Sequence, residues 1–383
     1  MKTDITMQPD YFKRIKTYGS SLDNWDNMLI FGDNLEALGN LSKDNNISGK
    51  VSLIYIDPPF STNNTFKGGD ERTATISSSY ADEVAYEDTL SGTEYLDFLR
   101  ERLYLLRDIL ADNGSIYVHI DYKIGHYVKI LMDEVFGRRN FINDITRIKS
   151  NPKNFERKAY GNVKDMILFY SKTKGFIWNN PTKSFSKKDI KRLFTKTDKD
   201  GRVYTTTPLH APGETLNGDT GRMFKGILPP SGRHWRNSIE ELEKLDKKGL
   251  IEWSSNGIPR KKIYAEDYVR RGMKMQDIWS FKDPQYPQYP TEKNLDMLKM
   301  IINASSNKND IVMDAFAGSG TTLVAAELLN RRWIGIDNSK VALKTIIKRF
   351  LDLQKDNHAI KRFSIYTTEK ATSELKAVYK VFE

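Results

Sequence analysis

Two apolar runs far apart in the chain each break off into a polar turn. Val51–Ile56 leads into Asp57-Pro58-Pro59-Phe60, and residues 311–313 lead into Asp314-Ala315-Phe316-Ala317-Gly318-Ser319-Gly320. Short apolar runs closed by turn residues read as strands buried in a sheet. Open α/β sheets bind ligands in the crevice outside the carboxyl ends of their strands. The chain therefore has to fold so that chemistry from both halves serves one sheet edge.

The remaining pattern supplies such a sheet. Residues 28–31 read as a short buried strand ending at Gly32-Asp33, with a helix over 34–41. In 95–111, Leu96, Leu99, Leu103, Leu106, Ile109 and Leu110 recur at helical spacing, and Asn113-Gly114 ends that helix. A buried strand over 115–120 closes at Asp121, followed by a helix over 127–135 and a strand over 166–170. Alternation of this kind predicts a mainly parallel sheet, with Phe31 and Ile56 on neighbouring strands. Residues 61–88 are rich in Gly, Ser and Thr without periodicity, the mark of a long functional loop.

Between Lys172 and Asp283 the alternation stops. Turn residues dominate there, and four of the six tryptophans (Trp178, Trp235, Trp253 and Trp279) gather in it. The α/β pattern resumes after Pro290, with helices over 295–304, 322–329 and 340–353 and strands over 311–313 and 333–336. The expected organisation is a first half over 1–171, an inserted lobe over 172–283 and a second half of the same α/β domain over 284–383.

Charge singles out the same insertion. The chain carries 60 Lys and Arg against 50 Asp and Glu, and residues 172–283 hold 24 basic and 14 acidic residues, the whole net excess. A localised basic surplus is the electrostatic footprint of a polyanion partner, although a solvated lysine-rich face has the same composition. Among its 383 residues no apolar run approaches the roughly 20 residues of a membrane-spanning helix. The polar start, Met1-Lys2-Thr3-Asp4, has no apolar signal core, so a cytoplasmic location without membrane partners is expected. Cysteine is absent, which excludes disulfides, cysteine zinc sites and a thiol nucleophile together. The five histidines are scattered and look structural, and no metal-ligand spacing is visible.

The glycine turn resembles a Walker phosphate loop superficially, but no lysine precedes Thr321-Thr322 and the full dinucleotide G-x-G-x-x-G spacing is missing. Glycines at such a turn let the backbone approach a ligand closely. Asp337 closes the next strand, where an acidic residue can accept hydrogen bonds from ribose hydroxyls or cap the following helix. Asp33 closes the 28–31 strand and could reach an adenine amine. Asp314, Phe316, Gly318, Gly320, Asp337 and Asp33 are thus candidate nucleoside-binding residues. At Asp57-Pro58-Pro59-Phe60 the prolines remove two backbone donors, leaving carbonyl acceptors beside a carboxylate. A planar amine is a poor nucleophile because its lone pair is delocalised. Accepting both of its N–H bonds, at the Asp57 carboxylate and the Pro58 carbonyl, favours the developing tetrahedral nitrogen. Phe60 offers a ring for stacking, and a base taken from a duplex would have to flip out to reach it. A rigid Pro-Pro turn is the bland alternative.

With these residues in place the chain resembles the β-class DNA amino-methyltransferases, and most closely the modification subunits of type III restriction-modification systems. The catalytic turn comes first, the basic lobe second and the glycine turn last, which is the β-class order. Further matching stretches are Phe31-Gly32-Asp33-Asn34, residues 115–121, residues 165–172 and Tyr289-Pro290-Thr291-Glu292-Lys293-Asn294. The last of these is similar to the family's Pro-Thr-x-Lys-Pro segment, with Asn294 in place of the final proline.

The resemblance implies a circularly permuted, Rossmann-like methyltransferase fold that takes S-adenosylmethionine, with an inserted target-recognition lobe. It also implies that Thr291 and Lys293 serve the methionine end of the cofactor, and that Asp57, Pro58, Pro59 and Phe60 act on adenine N6 in double-stranded DNA. Aspartate at position 57 is typical of adenine-N6 members and Ser or Thr of cytosine-N4 members. Within the lobe, Arg233, His234, Trp235 and Arg236 form the densest basic-aromatic cluster and are the expected DNA contacts. A homodimer and a separate restriction subunit are the expected protein partners. Rival readings are cytosine-N4 methylation, a relative acting on RNA or a protein glutamine, and a catalytically silent DNA-binding subunit. Carbon-5 methylation of cytosine is excluded, since it needs a thiolate.

Overall fold

The computed structural model describes residues 12–19, 25–59, 92–152, 158–215, 217–284 and 292–371, together with the backbone of short strands at Thr65–Gly68, Thr73–Ala74 and Glu83–Glu87. Two compact units emerge, one from the residues up to Asn179 and from Gln276 onward, the other from Asn180–Met275.

The larger unit is built on one ten-stranded sheet. In chain order its strands are β1 Lys13–Tyr18, β2 Asn27–Phe31, β3 Val51–Ile56, β4 Leu110–Ile120, β5 Phe141–Ile148, β6 Lys164–Ser171, β7 Ile278–Trp279, β8 Ile311–Asp314, β9 Arg332–Asp337 and β10 Phe363–Thr367. Across the sheet they run β1-β10-β2-β9-β8-β3-β4-β6-β5-β7. The central strands from β10 to β4 are parallel, while β1, and β6 against both β4 and β5, pair antiparallel. Strands β2 and β3 are buried at every residue, as sequences apolar but for Asn27 and Ser52 lead one to expect.

The helices are α1 Asn34–Leu41, α2 Gly92–Ile109, α3 Gly125–Met132, α4 Leu295–Ser305, α5 Thr321–Leu328 and α6 Lys340–Lys355. On one face, Leu38 and Leu41 of α1, Leu99, Leu103 and Leu106 of α2 and Val128 and Leu131 of α3 share a core with Ile54, Ile56, Ile116, Val118, Met313, Ile334 and Ile336. Helices α4 and α5 pack together, and α5 lies on β8 and β9. A Cβ on Gly335 would sit 2.4 Å from Leu323, so only glycine lets α5 approach β9 so closely. The result is a doubly wound α/β sheet.

The expected neighbourhood of Phe31 and Ile56 is wrong. Their strands are separated by β9 and β8, both from the end of the chain. The second half of the chain inserts its strands between those of the first, so strands consecutive in sequence are not adjacent in space. The alternation around 166–170 also misleads, because β6 runs antiparallel to β4. Strands β1, β5 and β10 carry no distinctive signal in the sequence. From β3 the chain goes through α2 to β4 on one side, while from β8 it goes through α5 to β9 on the other. The crevice of a doubly wound sheet opens at such a reversal.

The smaller unit is narrower than the 172–283 expected for the lobe. Residues 172–179 and 276–283 belong to the larger unit, where Trp178 stacks on Phe169 with ring centroids 5.9 Å apart and Trp279 forms part of β7. Its main sheet orders Lys196–Thr197, Val203–Pro208, Pro259–Tyr264 and Ile251–Trp253, and a second pair joins His210–Pro212 to Arg233–Trp235. The helix Ile239–Lys247 starts at a capping box between Ser238 and Glu241. Leu209, Phe224, Trp235, Leu242 and Ile251 form its core.

Candidate active site

Parallel pairing places Ile54 opposite Met313, so Asp57 and the Asp314 turn leave the same sheet edge side by side. On the other side of β8, Asp314 faces Gly335, and on the next strand Phe31 faces Asp337. The edge thus presents Asp33, Asp337, the glycine turn and Asp57 in that order.

The glycine turn is tied from within. Asp314 is buried, and its carboxylate accepts from Phe316 N at 3.0 Å and from the Thr322 hydroxyl at 2.6 Å. Burial pushes this carboxyl up to about 7. Its oxygens face its own loop, and so Asp314 shapes the turn. Asp337 is half-buried and accepts from Gly318 N and from Ser339 N, each at 2.8 Å, while Ser339 caps α6. Gly320 has φ +73° at the start of α5, where a Cβ would meet Ile346 at 2.6 Å. Asp33 caps α1, accepting from Leu35 N at 2.9 Å, and Arg102 lies 3.5 Å from its carboxylate. Asn34 donates to Ala315 O at 2.9 Å and so couples the β2 turn to the glycine turn. Phe316 is half-buried, 6.1 Å from the Phe98 ring.

Residues 292–294 reach both turns. Arg349 pairs with Glu292 at 3.0 Å while donating to Ser319 O and the Thr321 hydroxyl. Lys293, expected at the methionine end of a cofactor, is ion-paired with Oδ2 of Asp57. Asn294 caps α4 by accepting from Met297 N. Thr291 and Phe60, and the loop expected over 61–88 apart from its three short strands, lie outside the described residues.

Behind Asp57 is a buried polar chain that the sequence did not disclose. His119 on β4 is fully buried, with Nδ1 2.7 Å from the Tyr55 hydroxyl and Nε2 3.1 Å from Asp165. Asp165 on β6 also accepts from Lys149 at 2.6 Å and from Arg147 at 3.4 Å. Burial lowers the His119 pKa and raises that of Tyr55 far above the usual phenol range, so both are held neutral. Burial opposes ionisation of Asp165, but the bonds from His119 and Lys149 outweigh it and keep its pKa well below normal. His119 and Asp165 stand within two of the stretches that resemble the family, and that likeness was the signal that could have found them. Far from a merely scattered histidine, His119 has Nδ1 4.0 Å from Oδ1 of Asp57.

In the smaller unit, Trp235 is fully buried and donates to Arg222 O at 2.9 Å, so it cannot stack on DNA. An indole of that size between the lobe's sheet and helix is worth more as core than as contact surface. Its neighbours divide differently. Arg233 and Arg236 are exposed, and half-buried His234 is bonded to Gly213 O at 2.7 Å. Arg233 lies 3.3 Å from His210, whose pKa is lowered first by burial and then by Arg233, Arg236 and Arg260. The unit carries 21 basic against 12 acidic residues.

The acidic edge suits a cationic sulfonium with a ribose diol. The tight glycine turn leaves room at the backbone, and each Asp337 oxygen has a lone pair beyond its one backbone bond. Asp57 Oδ1 is buried and accepts no hydrogen bond from the described residues. A doubly wound sheet with these two turns at its switch point defines a Rossmann-like methyltransferase fold in permuted order. The model of the DNA methylase family, covering N6 and N4 methyltransferases, matches residues 51–349, and the chain belongs to that family. Its cofactor is S-adenosylmethionine.

The type II methyltransferase M.EcaI of Enterobacter cloacae is 44% identical over 330 residues, 85% of this chain and 69% of the relative. The StyLTI Mod subunit, from a type III restriction-modification enzyme of Salmonella typhimurium, is 28% identical over 90% of this chain, which spans 55% of the subunit's length. The solved M1.HpyAVI–SAM complex is 19% identical with a TM-score of 0.44, covering 84% of this chain and 98% of that one. Among the described residues no helix is long and apolar enough to cross a membrane.

The raised Asp314 carboxyl makes a prediction. The folded state holds its proton to higher pH than the unfolded state does, so its contribution to stability falls as pH rises from roughly 4 towards 7. Asp314→Asn keeps the shape and removes that charge. Relative to wild type, the variant should gain on the order of 1–3 kcal/mol in urea unfolding between about pH 5 and about pH 8. Parallel pH profiles for the two proteins would mean that Asp314 ionises without cost.

Proposed function

We propose that this chain methylates N6 of adenine in double-stranded DNA, as the modification component of a restriction-modification system. The observation that carries the reading is the state of Asp57. One carboxylate oxygen is held by Lys293, and the other is buried without a donor among the described residues, on a turn whose next two residues are prolines. An exocyclic amine has two N–H bonds to offer, and this turn has two acceptors, Oδ1 of Asp57 and the Pro58 carbonyl. Holding both draws the nitrogen lone pair out of conjugation as the tetrahedral centre develops.

When bound, S-adenosylmethionine supplies an electrophilic methyl group. Asp337 would hold its ribose, Asp33 its adenine amine, and Gly318 and Gly320 would let it lie against the backbone, with Phe316 as an apolar wall. Aspartate at position 57 supports adenine over cytosine. The target adenine has to leave the duplex stack to reach a turn set at the sheet edge. The basic lobe would recognise the site, with Arg233 and Arg236 at its exposed surface. The StyLTI Mod subunit is named as part of a type III restriction-modification enzyme and M.EcaI as a type II methyltransferase, which supports the same assignment here. A single lobe reading an asymmetric site methylates one strand, and a homodimer or a separate restriction subunit would complete the system.

Asp57→Ala should abolish methyl incorporation while cofactor binding persists, because its contact with the amine forms mainly in the transition state. Mass spectrometry of nucleosides from treated DNA should show N6-methyladenine, and N4-methylcytosine would overturn the adenine assignment. For the cofactor, Asp337→Ala removes an acceptor from two backbone donors and a ribose, and calorimetry should show binding weakened about tenfold or more. Unchanged affinity would reject the ribose role. In the lobe, the double substitution of Arg233 and Arg236 by Ala should weaken DNA binding and flatten the logarithmic salt slope by about 1 for each phosphate no longer neutralised. An unaltered salt slope would move recognition elsewhere.

A further inference from the structure

Why is a buried oxygen of Asp57 left without a donor among the described residues when an imidazole nitrogen lies 4.0 Å away? The partners of that imidazole answer the question. Asp165 is bonded to cationic Lys149 and Arg147, and a carboxylate so placed accepts only. The proton on His119 therefore sits on Nε2, donated to Asp165 at 3.1 Å. A neutral imidazole with Nε2 protonated has only a lone pair at Nδ1, so the Tyr55 hydroxyl at 2.7 Å must be the donor there. Nδ1 faces Asp57 with a lone pair already in use and has no proton to give.

We propose that Asp165, His119 and Tyr55 are positioning residues for Asp57: they fix the imidazole tautomer that withholds a donor from Oδ1, while Lys293 fixes Oδ2. The open acceptor is thereby reserved for the target amine. This rests on the reading of Asp57 as the amine acceptor. It also gives Lys293 a role on the catalytic carboxylate in place of one on the cofactor. Were the tautomer reversed, Nδ1–H would be donated to the Tyr55 oxygen at 2.7 Å, and the Tyr55 hydroxyl proton, no longer held by the ring, would be free for another acceptor. Were Lys293 absent, the carboxylate would be free to rotate.

The test begins with the unmodified protein. Nitrogen-15 NMR of the histidine side chains, with His119 assigned by its loss in His119→Gln, should show Nε2 protonated and Nδ1 bare. A proton on Nδ1, or a charged imidazolium at neutral pH, would overturn the proposal without any activity measurement. Tyr55→Phe then removes the donor to Nδ1. It should lower kcat tenfold or more while the affinity for S-adenosylhomocysteine, by calorimetry, stays within about twofold. Lys293→Met should show the same split, and a weakened cofactor affinity with kcat preserved would return Lys293 to the cofactor. If the tautomer is as expected but Asp57→Ala retains turnover, the amine-acceptor reading fails and the tautomer assignment stands.

Discussion

Parallel pairing of β3 with β8 is the contact on which the site depends. It joins a strand from the first part of the chain to one from the last part, in register from Leu53 with Val312 to Ile54 with Met313. The two turns that follow are then held beside one another by backbone hydrogen bonds. A slip by one residue would turn every side chain of β3 to the opposite face and take Ile54 and Ile56 out of the core beneath α2. The placement of the two turns and the packing of the core are thus specified by the same register.

Putting charges at a buried sheet edge is costly unless each is paired. The unit meets that cost with chains of partners. Asp165 gathers His119, Lys149 and Arg147, and Arg147 reaches Asp283 at 2.5 Å. Arg349 ties Glu292 to the glycine turn, and Lys293 ties the adjacent residue to Asp57. Consequently the segment 292–293 holds the two turns in a fixed relation through opposite ion pairs. Rigid placement of this kind is what electrostatic stabilisation of a developing charge requires, since dipoles that must reorganise during the reaction forfeit much of their effect. Against these paired groups Asp57 Oδ1 stands out as a buried acceptor without a donor among the described residues, beside the ion-paired Oδ2 of the same carboxylate.

Local sequence disclosed what local physics decides. The strand ahead of Asp57, the glycine turn and the start of α5 at Thr321 were all readable, because apolar runs, prolines and glycines act within a few residues. Of the expected DNA contacts, Arg233 and Arg236 are exposed, whereas Trp235 between them is buried. Composition groups the three, whereas packing within the lobe takes the Trp235 ring inward to Phe224 and Leu242. The lobe's limits were overdrawn for a related reason. Turn-rich composition extends past Met275, yet Trp279 pairs into the main sheet beside β5.

By itself the sequence determined the two turns and their order along the chain, since these follow from residue type and immediate neighbours. Only the tertiary structure decided which strands lie side by side, so that β9 and β8 separate Phe31 from Ile56. It alone brought Lys293 onto Asp57 and linked Tyr55, His119 and Asp165 behind it. Such contacts join residues distant in the chain, and no local pattern records them. They exist because a buried charge or polar group must find a partner wherever the fold places one.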